Sequence, residues 1–376
     1  MHKFGFLSFF SIFSLVYFGG HYYVYTRLVN GICLATAARY SIFAFFFLSS
    51  MSFYLTRIFA HSVVAQNFHM AAYFGNVWVG IVSISVAIFF IRDILMIFFR
   101  GDNFLYYSAI FSIVAAGLLS LYSFYNVHRG PVVREIKIKT EKLPGGINSF
   151  SIVQLSDLHL DFLSSREWVE KIVEQTNALN PDIIVVTGDL IERGIDHRDD
   201  FAVKFRKLSS RFGVFAILGN HEYYVGVNTF FRFAGQSNMR ILRNEKITIS
   251  GFLELIGLDD KTGKIPGEFI SGIENVFKTA DDKKLVVVLG HRPDFYKYIS
   301  KFGIDFYLSG HTHAGQIPPM DLIVKLYYKH PYGFYPEVNP KNGKKSFIYT
   351  TSGTGTWAPP LRLFSKSEIV KIVFEK

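Results

Sequence analysis

The chain has 376 residues, half of them apolar, with a formal charge of +10 and one cysteine. That composition excludes a disulfide-stapled framework, a collagen-like repeat and a disordered chain. Residues 1–126 hold eight charged side chains and the remaining 250 hold 62, which excludes a purely soluble protein on one side and a pure membrane protein on the other.

Four apolar stretches reach the roughly 20 residues that a membrane-crossing helix needs. They run from about Phe4 to Tyr25, from about Tyr40 to Phe59, within Ala71–Phe99 and within Phe104–Val127. A cleaved signal peptide would account for the first alone, so residues 1–127 read as a transmembrane region of about four helices. Arg92–Asp93 interrupts the third stretch and is read as its interfacial end, with Ile94–Phe99 at the surface. Cys33 has no adjacent His or Asp and reads as a small core residue.

With four spans, Lys3, Arg57 and the cluster Arg129, Arg134, Lys137 and Lys139 share one side, and Arg27, Arg39 and Arg100 the other. The positive-inside rule then places the C-terminal half in the cytoplasm, making this a multi-pass integral membrane protein. An odd number of spans would reverse the orientation. The positive excess suits anionic lipid or an anionic substrate. No basic run or nucleic-acid module accompanies it, so nucleic acid is not an expected partner.

Residues 128–147 read as a linker and first strand. Beyond them, short apolar runs alternate with amphipathic stretches. Ser151–Leu155, Asp182–Thr187, Val214–Leu218, Leu253–Gly257, Leu285–Leu289 and Asp305–Leu308 read as strands. Helices are expected at Glu167–Leu179, near Ala202–Leu208, near Glu268–Lys278 and near Pro293–Lys301. The alternation predicts a layered α/β domain over 148–376. Its continuous Val/Ile/Leu runs suit strands covered on both faces.

Five of these strands deliver metal-binding side chains just past their C-terminal ends, where open α/β sheets place their sites. The first is followed by Asp157 and His159, the second by Asp189, the third by Asn220 and His221. His291 follows Leu285–Leu289, and His311 and His313 follow Asp305–Leu308. A glycine precedes each of Asp189, Asn220, His291 and His311, which suits a tight turn or a close backbone approach. One such histidine alone would read as structural; five of the twelve, grouped this way, do not.

Four imidazoles, two carboxylates and an amide, with no thiolate, select Mn, Fe or Zn over Mg or Ca. Seven donors exceed the needs of one tetrahedral ion and fit two divalent ions sharing a carboxylate. Two such ions, two aspartates and a bridging hydroxide leave a charge of about +1, which attracts an anion and suits phosphoryl oxygens. His221 stands beside Asn220 and is available as a proton donor to the leaving oxygen.

The series SDLH, GDL, GNHE, GH and GHTH resembles the calcineurin-like metallophosphoesterase superfamily in order and approximate spacing over roughly residues 148–376. The ending GHTHAGQ, with HRPD before it and TSGTGTWAPPLRL after it, is similar to the bacterial membrane-associated branch. The resemblance implies that Asp157, His159, Asp189 and His313 hold one metal. It implies that Asp189, Asn220, His291 and His311 hold the other, with Asp189 as the bridge and His221 assisting catalysis. It also implies an αββα sandwich, a metallophosphoesterase-type domain following the membrane helices. Asp161 stands where many members have glycine, and reads as a change to the pocket rim rather than a ligand.

The expected function is a membrane-anchored, dinuclear metal-dependent phosphoesterase that hydrolyses a phosphoester or pyrophosphate bond with a metal-bridging hydroxide. Four apparent spans are more than anchoring requires, and the resemblance allows a lipid-linked substrate such as a UDP-diacylglucosamine-like molecule. The rival from another class is a membrane transporter or sensor whose soluble domain binds metal or phosphate without turnover; an amidase or peptidase is a second. Two segments stay open. Gly353–Trp357 is a substrate-side loop or a plain turn, and Leu326–Tyr335 is a lid, a lipid contact or ordinary aromatic packing.

Overall fold

The computed structural model describes residues 2–32, 34–59, 69–99, 101–192, 195, 199–262, 264–339 and 343–376. Cys33, Arg100 and the loop before His69 lie outside the described residues, as do the side chains of Lys3 and Arg57. The chain divides into two units. The first comprises Met1–His128 with Ile317–Met320 and Ala358–Leu363; the second comprises Arg129–Gln316, Asp321–Trp357 and Phe364–Lys376.

The first unit is built from α1 (His2–Gly31), α2 (Thr36–Phe59), α3 (His69–Phe98) and α4 (Asp102–His128). Among the described residues, α3 and α4 are long and apolar enough to cross a membrane. Arg92 and Asp93 lie within α3, which continues to Phe98, and Ile94, Leu95 and Ile97–Phe99 beyond them are exposed. Both are paired or hydrogen-bonded, Arg92 in a buried setting and Asp93 in a part-exposed one. Arg92 is buried and donates to Ser108 Oγ at 2.9 Å and to the Leu105 carbonyl at 3.1 Å. Asp93 accepts from Arg27 Nε and Tyr23 Oη, each at 2.7 Å. Paired and hydrogen-bonded charges of this kind are tolerated inside a bundle where isolated ones are not. The two short segments from the C-terminal half are tied in by backbone carbonyls. Pro318 O accepts from Ser83 Oγ, and Arg362 O accepts from Asn126 Nδ2 at 3.0 Å.

The second unit runs β1 (Val132–Lys139), β2 (Ser149–Leu155), α5 (Arg166–Ala178), β3 (Ile183–Val186), α6 (Asp199–Phe205), β4 (Val214–Ala216), α7 (Asn220–Val225), α8 (Val227–Gln236) and β5 (Arg240–Ile241). It continues through β6 (Glu245–Ile249), β7 (Leu253–Gly257), α9 (Pro266–Phe277), β8 (Leu285–Leu289), α10 (Tyr296–Ile299), β9 (Phe306–Ser309), α11 (Met320–Tyr327), β10 (Gly333–Val338), β11 (Lys345–Thr350) and β12 (Glu368–Glu375). The strands form two six-stranded mixed sheets, ordered β1-β12-β2-β3-β4-β5 and β10-β11-β9-β8-β7-β6.

Strand periodicity explains the layering. In β3, Ile183 and Val185 face the core between the sheets while Ile184 and Val186 face the outer helices. In β8, Leu285, Val287 and Leu289 enter the same inter-sheet core, and Val286 and Val288 pack outward toward α9 and α10. Successive side chains alternate between faces, so a strand covered on both sides reads as an unbroken apolar run. Four layers result: helices, sheet, sheet, helices. Strands β2 to β5 are parallel to one another, as are β7 to β9, so their C-terminal ends collect the loops that follow them.

Candidate metal centre

Asp157 and His159 follow β2, Asp189 follows β3, and Asn220 and His221 open α7 after β4. His291 follows β8, and His311 and His313 follow β9. The fold brings these eight residues, all of those expected from the sequence, into one constellation. Three groups, Asp157–His159–His313, His159–Asp189–His221 and Asp189–His291–His311, each hold donor atoms within 4.8 Å of one another and could hold a metal ion. His159 Nε2 faces His313 Nε2 at 3.0 Å, and His291 Nε2 lies 3.1 Å from His311 Nδ1 and 3.2 Å from Asn220 Oδ1. Asp189 Oδ2 is 3.1 Å from His291 Nε2 and 3.8 Å from His159 Nε2. One carboxylate oxygen therefore looks toward both groups. Nitrogen and oxygen donors converging without thiolates could hold divalent metal ions.

The backbone reaches this arrangement by unusual turns. Asp157, His159, Asp189, His311 and His313 all have φ between 49° and 71°, the left-handed region that costs a non-glycine residue about 1–3 kcal/mol. Hydrogen bonds hold the turns: Asp157 N donates to Gly188 O at 3.1 Å, and His159 N to Asp189 O at 3.0 Å. Two glycines make the space. A Cβ at Gly219 would collide with the Asp189 carboxylate, and one at Gly310 with Asp157 Oδ2 and Ser156 Oγ.

The electrostatics divide the donors. Burial raises the Asp157 carboxyl, and nearby Asp189 adds to it, against His291 and His159. Burial opposes the ionised form of Asp189 too, yet His291 and His221 hold its carboxyl well below the usual range. Burial disfavours charge on His291 and His221, but Asp189 outweighs it, lifting them to about 10 and about 9. Burial, His291 and Arg292 push His311 well below its ordinary value, which favours the neutral imidazole.

Four further residues, Glu192, Glu222, Arg292 and Asp260, shape the site and were not singled out by sequence. Glu192 Oε1 lies 2.9 Å from His159 Nδ1 and 2.5 Å from His221 Nδ1. Its position three residues after Asp189 was the available signal. Glu222, in the GNHE motif, is fully buried and accepts from the backbone N–H of Asp189, Leu190, Ile191 and Gly219 at 2.7–3.2 Å. It ties the β3 loop to the β4 loop. Burial and Asp189 raise its carboxyl against those backbone donors. Arg292 pairs with Asp260 at 2.9 Å and holds Nη1 3.1 Å from His311 Nε2; burial opposes its charge, and Asp260 restores it. Asp161 is in none of the metal groups and caps its own turn, accepting from Leu163 N at 2.8 Å and Ser164 N at 3.0 Å.

The two open segments also find their places. Gly353–Trp357 buttresses the Asp157 turn: Thr354 N donates to Ser156 O at 2.7 Å and Gly355 N to Asp157 O at 3.1 Å. Its Trp357 ring lies 6.0 Å from that of His221. Leu326–Tyr335 splits in function. His330 is buried and 2.7 Å from Glu337, whereas Leu326 and Tyr327 are exposed.

The family model for calcineurin-like phosphoesterase matches residues 150–315. A metallophosphoesterase of Aquifex aeolicus is 36% identical over 245 residues, covering 65% of this chain and 91% of the relative. An uncharacterised metallophosphoesterase of Campylobacter jejuni is 29% identical over 96% of both chains. A relative named as a transmembrane protein with metallophosphoesterase domain, from Danio rerio, is 28% identical over 71% of this chain; the chain spans 62% of that relative. The chain belongs to the calcineurin-like phosphoesterase family and is a hydrolase acting on phosphoester bonds.

Proposed function

We propose that the chain is a membrane-anchored phosphoesterase working with two divalent metal ions on a lipid-linked phosphoester or pyrophosphate. The observation that carries this reading is the Asp189 carboxylate oxygen facing both donor groups, with His291 at 3.1 Å and His159 at 3.8 Å. Asp157, His159, Asp189 and His313 would hold one ion; Asp189, Asn220, His291 and His311 would hold the other. When bound, the ions supply Lewis acidity, activating water and neutralising charge on phosphoryl oxygens.

The chain's own groups do the rest. Glu192 holds His221 through Nδ1, leaving Nε2 turned toward Asp189 at 3.9 Å. From that position Nε2–H would give its proton to the leaving oxygen as the phosphorus–oxygen bond breaks, while hydroxide, formed from water that has lost a proton to solvent, bonds to phosphorus. Arg292 adds a fixed positive charge on the His311 side, which favours an anionic substrate. Its partner Asp260 keeps the guanidinium in place.

Membrane anchoring draws support from the length and apolarity of α3 and α4 and from the name of the zebrafish relative. We assign α1 and α2 to the same multi-pass anchor, with the catalytic unit on the cytoplasmic side. A lipid-linked substrate follows from an anchor of that size.

The test is metal analysis of the purified full chain together with Mn²⁺-dependent hydrolysis of bis(p-nitrophenyl) phosphate, compared with Asp189→Asn and His311→Ala in the same detergent. Two metals per wild-type chain, with turnover reduced at least about 100-fold in Asp189→Asn, is the expected result. Full activity in that variant would sink the assignment. Metals bound without hydrolysis of any phosphoester would favour a binding or sensing role.

A further inference from the structure

Helix α11 is amphipathic the wrong way round for a soluble domain. Only Val324 is buried, while Leu322, Ile323, Leu326 and Tyr327 are exposed, the last two by 79% and 73%. Large apolar side chains left in one contiguous group mark a surface that something covers. The chain enters α11 from Ile317–Met320, the segment that packs with the N-terminal helices through Ser83 and the Pro318 carbonyl. Met320 lies two residues from Pro318, a reach of at most about 7 Å.

Trp357 repeats the pattern. It is half exposed and immediately precedes Ala358–Leu363, the other segment of the helical unit. Its backbone is paired with the Gln316 side chain in both directions, N to Oε1 at 3.1 Å and Nε2 to O at 3.2 Å. Both departures toward the apolar unit are thus tied together at one point of the catalytic unit. That point adjoins the metal centre, with Trp357 6.0 Å from His221 and Tyr328, next after α11, 6.0 Å from His311 by ring centroids.

We propose that α11 and Trp357 form a lip of the catalytic unit that sits in the bilayer–water interface, covered by phospholipid. The proposal rests on the membrane anchoring put forward above. An interfacial helix buries its apolar face about 5–10 Å into the headgroup boundary, and an indole is at home at that depth. Lys325 and Lys329 on the same segment, paired with Asp321 at 3.7 Å and Glu337 at 2.7 Å, stay exposed at the level where anionic headgroups would meet them. The consequence is that the metal centre opens at headgroup level, so a lipid-linked phosphate reaches it without leaving the bilayer.

The experiment uses the full chain in phosphatidylethanolamine–phosphatidylglycerol vesicles, with Cys33→Ser as background and an environment-sensitive fluorophore on one new cysteine. Leu326→Cys probes the lip, Leu118→Cys in α4 probes the anchor, and Lys283→Cys, exposed before β8, probes the aqueous side. Expected is quenching by doxyl-labelled lipid of about twofold or more at 118 and 326, with none at 283. Quenching at 118 but not at 326 overturns the lip and leaves the anchor standing. No quenching at 118 overturns the anchor and the lip with it. A blue shift at 326 that grows with protein concentration in detergent, without lipid quenching, assigns the surface to a second copy of the chain and also overturns the proposal.

Discussion

His159 and His313 face each other through their Nε2 atoms at 3.0 Å, their rings stacked 5.0 Å apart. With Asp157 they form a group whose donor atoms lie close enough to bind one cation together. Metal binding should therefore stabilise the catalytic unit by linkage. At a free Mn²⁺ concentration near 100 times Kd, the gain is about 2.7 kcal/mol. Thermal melts of chelator-treated protein with and without added Mn²⁺ should show an upward shift, and His313→Ala should lose most of it.

Glu192 is a positioning residue, since one carboxylate oxygen serves the Nδ1 atoms of both His159 and His221. Partners of this type typically change metal affinity or activity by about 10- to 100-fold. Glu192→Gln should lower kcat within that range and weaken Mn²⁺ binding in titration calorimetry, while Glu192→Asp recovers part of both. A variant with wild-type calorimetry and turnover would remove this role.

Gly310→Ala puts a methyl group onto Asp157 Oδ2 and Ser156 Oγ. Overpacking of a fitted site costs about 1–3 kcal/mol, and here the displaced group is a metal donor. A lower melting temperature together with reduced metal content is the expected outcome. Gly267→Ala, with nothing within 4 Å of the added carbon, serves as the control and should leave both unchanged.

Asp259 is buried and meets Lys264 at 2.7 Å, Arg243 at 2.8 Å and Tyr223 Oη at 2.6 Å. Burial alone would raise its carboxyl, but Lys264, Tyr223 and Arg243 pull it below the usual carboxylate range. A depressed folded pKa means that the contribution is present above the unfolded value near 4 and is lost as pH falls through the folded one. Asp259→Asn should cost about 2 kcal/mol at pH 7. The difference should shrink as melts are repeated from pH 4 downward; a gap that does not change with pH would contradict the linkage.

Much of the catalytic unit was legible because strand ends carry their own chemistry. Leu253–Gly257 and Leu285–Leu289 match β7 and β8 residue for residue. β1 and β12 were harder to read because their partners are remote: Val132 pairs with Glu368 and Val370 with Gln154, pairings that no local pattern encodes. The end of helix α11 and the start of strand β10 fell inside the aromatic run Leu326–Tyr335, whose period is ambiguous between packing and exposure. Arg92–Asp93 showed only part of its setting in the sequence, because Arg27 and Ser108 come beside it only when the helices pack.

The sequence by itself determined the donor types, their order along the chain and the family to which they belong, because those depend on residue identity and spacing. Tertiary structure alone decided that Asp189 turns one oxygen toward two groups, that Glu192 serves two histidines and that Glu222 staples two loops. It also decided that Leu326 and Tyr327 point away from the core. Each is a relation between side chains brought together by two sheets closing on one another, and the sequence holds no record of that distance until the chain has folded.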